Sequence, residues 1–273
     1  MRRTVRVFGR LAAFVFLIYL ISLAVALMLR RDFIYPFDET PARPQNIGLP
    51  RADIHQIPRD YGSTMQVWRA TPHPGKPIIL FFMGNVGNLM GSGPRLKELA
   101  LRGYGIAAMT YPGGGGISGE PSEVALKEDA LRLWQAVGQY APGAERVIYG
   151  VSLGSGIATW LSAQVDGEIG LALETPYTRL CNAMEHAVPI YPSCLVMWDE
   201  RYNSVDLIAQ INAPLLVLHG DADQIIPIEQ GKTLFKAAMH PKKMIIYPGG
   251  RHNDLRLYGA GIDMINWMDA LSP

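Results

Sequence analysis

Two patterns of apolar positions divide this chain. Residues 11–29, LAAFVFLIYLISLAVALML, run for nineteen positions without a charge. At about 1.5 Å per residue a helix of that length reaches roughly 28 Å, close to the hydrocarbon thickness of a bilayer. Only Tyr19 and Ser22 interrupt it, so the segment has no polar face to turn to water. Beyond residue 65 the pattern changes. Short apolar runs at residues 78–83, 105–110, 147–150, 169–173, 215–218 and 244–247 have strand length and no polar alternation, as strands covered on both faces do. Amphipathic stretches at residues 94–102, 123–140, 153–164, 228–239 and 259–271 predict helices between and after them. This alternation predicts an α/β domain with a largely parallel sheet and helices on both faces. Residues 33–58, rich in proline and aperiodic, read as a linker merging into the domain edge. Residues 176–212 break the rhythm and read as a lid-like excursion over one end of the sheet.

Charge sharpens the division. The total is near neutral, 25 bases against 24 acids, but residues 1–31 hold six arginines and no acid. The remainder carries 19 bases against 24 acids, a net of −5. That balance excludes a strongly basic nucleic-acid binder. Arg2, Arg3, Arg6 and Arg10 precede the apolar run and Arg30 and Arg31 follow it. The excess in front predicts a cytoplasmic N-terminus and a periplasmic or luminal body. Ala24-Val25-Ala26 fits a signal-peptidase site, so a cleaved secretory signal is the alternative; the run continues to Leu29, longer than the usual signal core of about 7–15 residues. The expected units are residues 1–31, an anchor or signal held in the lipid bilayer, and residues 32–273, the α/β domain.

In a parallel sheet the chemistry gathers beyond the carboxyl ends of the strands. The run 147–149 ends in Gly150-Val151-Ser152-Leu153-Gly154 and then a helical stretch, a G-x-S-x-G nucleophile elbow. Serine needs a base, and the base needs an orienting acid. The chain order serine, acid, histidine leaves His186, His219, His240 and His252 as bases. His252 follows the last apolar run in a glycine-rich turn and takes the role. His219 closes a strand and reads as structural, and His240 reads as a solvated linker residue. The acid comes from His219-Gly220-Asp221-Ala222-Asp223: Asp223, deeper in the loop, orients His252, and Asp221 caps the turn. The backbone N–H groups of Leu153 and Asn85 are the expected oxyanion donors.

Gly114-x-Gly116-x-x-Gly119 matches a dinucleotide fingerprint in form, but no helix opens at once and no acid ends a strand about 20 residues on; it reads as a flexible wall of the active site. The sequence shows no metal-ligand cluster, and no cofactor is expected. Cys181 and Cys194 fit either one disulfide or two buried thiols.

These residues resemble the α/β-hydrolase superfamily of serine hydrolases over about residues 33–271, and more narrowly its membrane-anchored branch with serine-peptidase-like and acyl-protein-thioesterase-like members. The resemblance rests on Phe82-Met83-Gly84-Asn85, Tyr111-Pro112-Gly113-Gly114-Gly115, Pro121-Ser122-Glu123, the elbow, Glu174-Thr175-Pro176-Tyr177 and His219-Gly220-Asp221-Ala222-Asp223. It implies a mostly parallel sheet of about eight strands, and in that branch the aspartate of His-Gly-x-x-Asp is the triad acid, here Asp223. Met83 stands where the branch usually has histidine, and Pro112 where it has arginine. The implied activity is hydrolysis of an ester or thioester, on a small-molecule or acylated substrate, through an acyl-enzyme. A peptidase of the same fold and an idle, membrane-tethered interaction module are the alternatives.

Overall fold

A computed structural model describes residues 2–49, 52–60, 63–239 and 241–271, with side chains from Thr4 onward. His240, the first residue of the expected anchor unit and the last two of the expected domain lie outside the described residues. The apolar run forms the body of one long helix, α1 (Arg2–Ile34). Among the described residues it is the one helix long and apolar enough to cross a membrane.

The domain beyond it is built on eight strands: β1 (Asp53–Pro58), β2 (Thr64–Ala70), β3 (Ile78–Phe82), β4 (Gly105–Met109), β5 (Arg146–Val151), β6 (Gly170–Glu174), β7 (Leu215–Gly220) and β8 (Lys242–Tyr247). They form a single sheet in the order β1-β2-β4-β3-β5-β6-β7-β8. The pairs from β4 to β8 are parallel, while β1 and β2 run antiparallel at one edge. The six apolar runs are β3 to β8. Every residue of β3, β4, β6 and β7 is buried, as a strand covered on both faces requires.

β1 corrects the linker reading of residues 33–58. Of its six residues only Ile57 is buried, because an edge strand meets a neighbour on one side only and carries no continuous apolar run. Its closing Pro58 suits that edge, where a missing N–H is tolerated.

The helices are α2 (Gly93–Leu101), α3 (Glu123–Tyr140), α4 (Leu153–Ser162), α5 (Leu180–Ala187), α6 (Ser193–Val196), α7 (Ser204–Leu207), α8 (Ile228–Ala237) and α9 (Ala260–Asp269). α3 packs on α4 over one face of the sheet, and α2 meets α9 over the other. α3 buries Leu126, Ala130, Leu133 and Val137, an i, i+4, i+7, i+11 stripe, and Ser122 caps it by accepting the Ala125 N–H. The lid-like stretch holds α5, α6 and α7, and a Cys181–Cys194 disulfide ties α5 to α6. β4 lies to one side of β3 and β5 to the other, so the strand order reverses at β3 and a crevice opens past the ends of β3 and β5.

Candidate active site

Ser152 is the one residue between the end of β5 and the start of α4. It sits at φ 52°, ψ −119°, a conformation that costs a non-glycine residue energy. The flanking glycines follow from close approach. A Cβ on Gly150 would lie 2.3 Å from the Gly154 carbonyl oxygen, and one on Gly154 would lie 2.2 Å from the Phe82 carbonyl oxygen. The Ser152 N–H donates to the Glu174 carbonyl at 2.9 Å, tying the turn to β6. The hydroxyl is thereby held at the positive N-terminus of α4.

The turn after β8 brings His252 to this serine, with Nε2 2.9 Å from Ser152 Oγ. On the ring's other side Nδ1 lies 2.8 Å from Asp223 Oδ2. Asp223 Oδ1 accepts the N–H groups of Ile225 and Ile226, each at 2.9 Å. Asp223 and His252 are 7% and 8% exposed, so solvent screens their interaction little. Burial pushes the Asp223 carboxyl up, but the His219 and His252 imidazoles and the Ile226 N–H outweigh it and hold the acid well below the usual carboxylate range. An ionised carboxylate at Nδ1 makes that nitrogen the donor and leaves Nε2 to accept the serine proton.

The other candidates take supporting places. His219 is fully buried, its Nε2 2.9 Å from the Ile226 carbonyl and 3.5 Å from Asp223 Oδ2. Gly231 of α8 makes room for it, since a Cβ there would meet His219 Nδ1 at 2.4 Å. Asp221 reaches beyond its own turn: its Oδ1 accepts the Gly249 N–H of the His252 turn at 2.7 Å. The two loops also touch where Gly220 meets Gly250, 2.1 Å from a Cβ at Gly220 to the Gly250 oxygen.

Leu153 opens α4, so its N–H belongs to the first turn, which lacks intrahelical acceptors. Gly84 backs onto the serine, with a Cβ there 3.5 Å from Ser152 Cβ, and Asn85 follows it in the turn. Tyr111 braces that turn by donating to the Met83 carbonyl at 2.9 Å, and the Asp38 N–H holds Gly87 O at 2.9 Å. The Gly114–Gly119 loop packs against Phe37 and Pro41 and is pinned by the Gly115 N–H to Asp38 O bond at 2.7 Å. This anchoring on residues 37–42 replaces the reading of it as a flexible wall.

Sequence patterns left one group out. Arg95 Nη2 reaches Glu174 Oε1 at 2.5 Å, and the Tyr149 hydroxyl donates to the other carboxylate oxygen. This buried network underlies the serine turn, because Glu174 also accepts the Ser152 N–H. No local motif marks it, since its members come from α2, β5 and β6. Beside His252 a cavity of about 300 Å³ opens, lined by Gln224, Ile225, Arg251 and Asn253. Among the described residues no group of three His, Cys, Asp or Glu side chains is placed to hold a metal.

Comparison with known proteins meets this geometry from outside. Residues 203–256 match the family described as serine aminopeptidase, S33, a stretch that holds Asp223 and His252. An uncharacterized protein of Mycobacterium tuberculosis strain H37Rv is 34% identical over 186 residues, covering 66% of this chain and 64% of that protein. The lysophosphatidylserine lipase ABHD12 of Danio rerio is 27% identical over 240 residues, 74% of this chain and 63% of that protein. The chain thus spans a little under two thirds of these relatives' length. The solved structure of the Pyrococcus furiosus esterase Pf2001 superposes with a TM-score of 0.71 at 13% identity, covering 86% of this chain and 97% of the esterase.

Proposed function

We propose that this chain, whose fold is that of the α/β hydrolases, is a serine hydrolase cleaving an ester or thioester by acyl transfer to water. The observation that carries the reading is the unbroken line Ser152 Oγ, His252, Asp223, at 2.9 and 2.8 Å, past the strand ends. Ser152 attacks the carbonyl while His252 Nε2 takes its proton. Asp223 holds the ring's tautomer and stabilises the imidazolium that forms. The N–H groups of Leu153 and Asn85 receive the oxyanion, and His252 returns the proton to the leaving group. Water then repeats the sequence on the acyl-enzyme. An ester of a membrane lipid is the favoured substrate, because the domain follows an apolar helix and one relative is a lysophosphatidylserine lipase. α1 anchors the protein with its N-terminus in the cytoplasm and the catalytic domain on the far side.

The serine aminopeptidase description supports a second reading, peptide hydrolysis by the same residues. A fluorophosphonate probe tests the serine chemistry common to both. Wild-type protein should label and Ser152→Ala should not; folded wild type that never labels overturns the proposal. Comparing acyl esters, acyl thioesters and aminoacyl amides on the labelling-competent protein then separates the two readings.

A further inference from the structure

A second apolar stretch lies far from the first in sequence. Residues 187–198, AVPIYPSCLVMW, are twelve positions without a charge, bounded by His186 and by Asp199. In the fold they lie along α1. Tyr19 donates its hydroxyl to the Ile190 carbonyl at 3.2 Å, and its ring stands 6.2 Å from that of Tyr191. At the other end Arg30 grips Asp199 with two hydrogen bonds, 3.0 and 2.6 Å, and Arg31 Nε meets Glu200 at 2.9 Å. Between them Leu23 and Leu27, one turn apart on the same helix face, pack against the domain.

These contacts set a depth. Tyr19 and Arg30 are eleven residues apart, roughly 16 Å of helix, against a hydrocarbon half-thickness of about 15 Å. When the uncharged run 11–29 occupies the hydrocarbon, the Ile190–Tyr191 tip is carried into it as well. The tip has the chemistry to enter. Ile190, Leu195 and Trp198 are 65%, 72% and 63% exposed, three large apolar side chains gathered on one uncharged stretch, the kind of patch that marks an interaction surface.

The backbone is also prepared. Pro189 and Pro192 have no N–H to satisfy. Tyr191 donates to Val188 O, Ser193 to Tyr191 O, Leu195 and Val196 to Pro192 O, and Met197 to Ser193 O. These bonds, with the Tyr19 hydroxyl on the Ile190 carbonyl, satisfy part of the backbone internally and lower the cost of taking it out of water. Cys194, through its disulfide to Cys181, holds the stretch to α5.

We propose that residues 187–198 form a membrane wedge, lodged among the phospholipid acyl chains of the leaflet that receives the carboxyl half of α1. Trp198, next to Asp199 and the arginines, lies at the headgroup level, where tryptophan is favoured, and Ile190 lies deeper. The inference rests on α1 spanning a bilayer and is independent of the serine chemistry. The apolar cavity of about 310 Å³ between α1 and this stretch, lined by Ala26, Phe33, Val188 and Met197, then faces lipid.

The test uses the full chain in phosphatidylcholine–phosphatidylglycerol vesicles whose acyl chains carry bromine at shallow or deep carbons. The emission lost in Trp198→Phe isolates Trp198; Ile190→Trp in that background reports the tip. Lipid bromines should quench both probes and buffer iodide neither, with position 190 favouring deep bromines and position 198 shallow ones. Quenching by iodide and not by lipid, with the chain still resisting carbonate extraction, overturns the wedge and leaves the anchor standing. Protection from both quenchers with a dimeric mass in detergent overturns it in favour of a second copy. Release of the whole chain by carbonate overturns the spanning helix, and the wedge with it.

Discussion

Asp221 and Gly249 join the two loops that must cooperate in the proposed reaction: the carboxylate accepts the Gly249 N–H at 2.7 Å, three residues before His252. Asp221 is therefore a positioning residue, acting through the histidine turn. Asp221→Ala should cost about 0.5–1.5 kcal/mol of stability, the net worth of a hydrogen bond whose groups water can reach. It should lower kcat by roughly tenfold with KM little changed, since roughly 1.4 kcal/mol of lost positioning is a factor of ten. Asp221→Asn, which keeps an acceptor, should recover most of the loss. Steady-state kinetics and thermal melts of both variants check this.

Ser152, the proposed nucleophile, is held against its own backbone preference. Ser152→Ala should lower turnover by orders of magnitude, as loss of a nucleophile does in this constellation. Ser152→Gly should be equally inactive yet more stable than the alanine variant by about 1–3 kcal/mol, because glycine relieves the φ 52° conformation. Denaturant midpoints of the two inactive variants measure the difference; equal midpoints would show that the turn stores no strain.

Acid should act on the fold through Asp223. Its folded carboxyl is held below the unfolded value of about 3.9, so the stability it contributes is complete above that pH. That stability is lost as pH falls from about 4 toward the folded value. Urea midpoints at pH 7, 4 and 3 should drop less steeply for Asp223→Asn than for wild type, and parallel curves would refute the assignment.

Gly231→Ala probes the support behind the acid. The added methyl would meet the buried His219 ring at 2.4 Å, and His219 lies 3.5 Å from Asp223. Overpacking of this kind costs about 1–3 kcal/mol. The displaced ring should also lower kcat, although Gly231 lies on α8 and has no part in the chemistry. Melting temperature and turnover should fall together.

The Cys181–Cys194 bond closes a loop with a sequence separation of 13. A closure of that size is worth about 3 kcal/mol in the chain-entropy account. Alkylation should add mass only after reduction, and the reduced protein should unfold at lower denaturant. Equal alkylation without reductant would count against the bond.

Glu174, Arg95 and Tyr149 show where sequence reading stops. Each lies in an element that its own apolar pattern marks, but no local spacing relates α2 to β5 and β6, so their meeting beneath Ser152 is invisible until the sheet forms. β1 was hidden for a different reason. An edge strand with one buried residue in six has no signal stronger than its proline-rich surroundings. The buried strands were legible because both faces select apolar residues, and the serine turn because close backbone approach leaves glycine alone at 150 and 154.

By itself the sequence determined the alternating α/β layout, the apolar helix, the uneven charge and the residue types at Ser152, Asp223 and His252. All of these follow from local sterics and burial. Only the tertiary structure decided that Asp221 ties the His252 loop, how Gly231 shelters His219, and that residues 187–198 lie along α1. Those relations join residues from 12 to 171 positions apart, and what selects among them is the packing of the whole sheet.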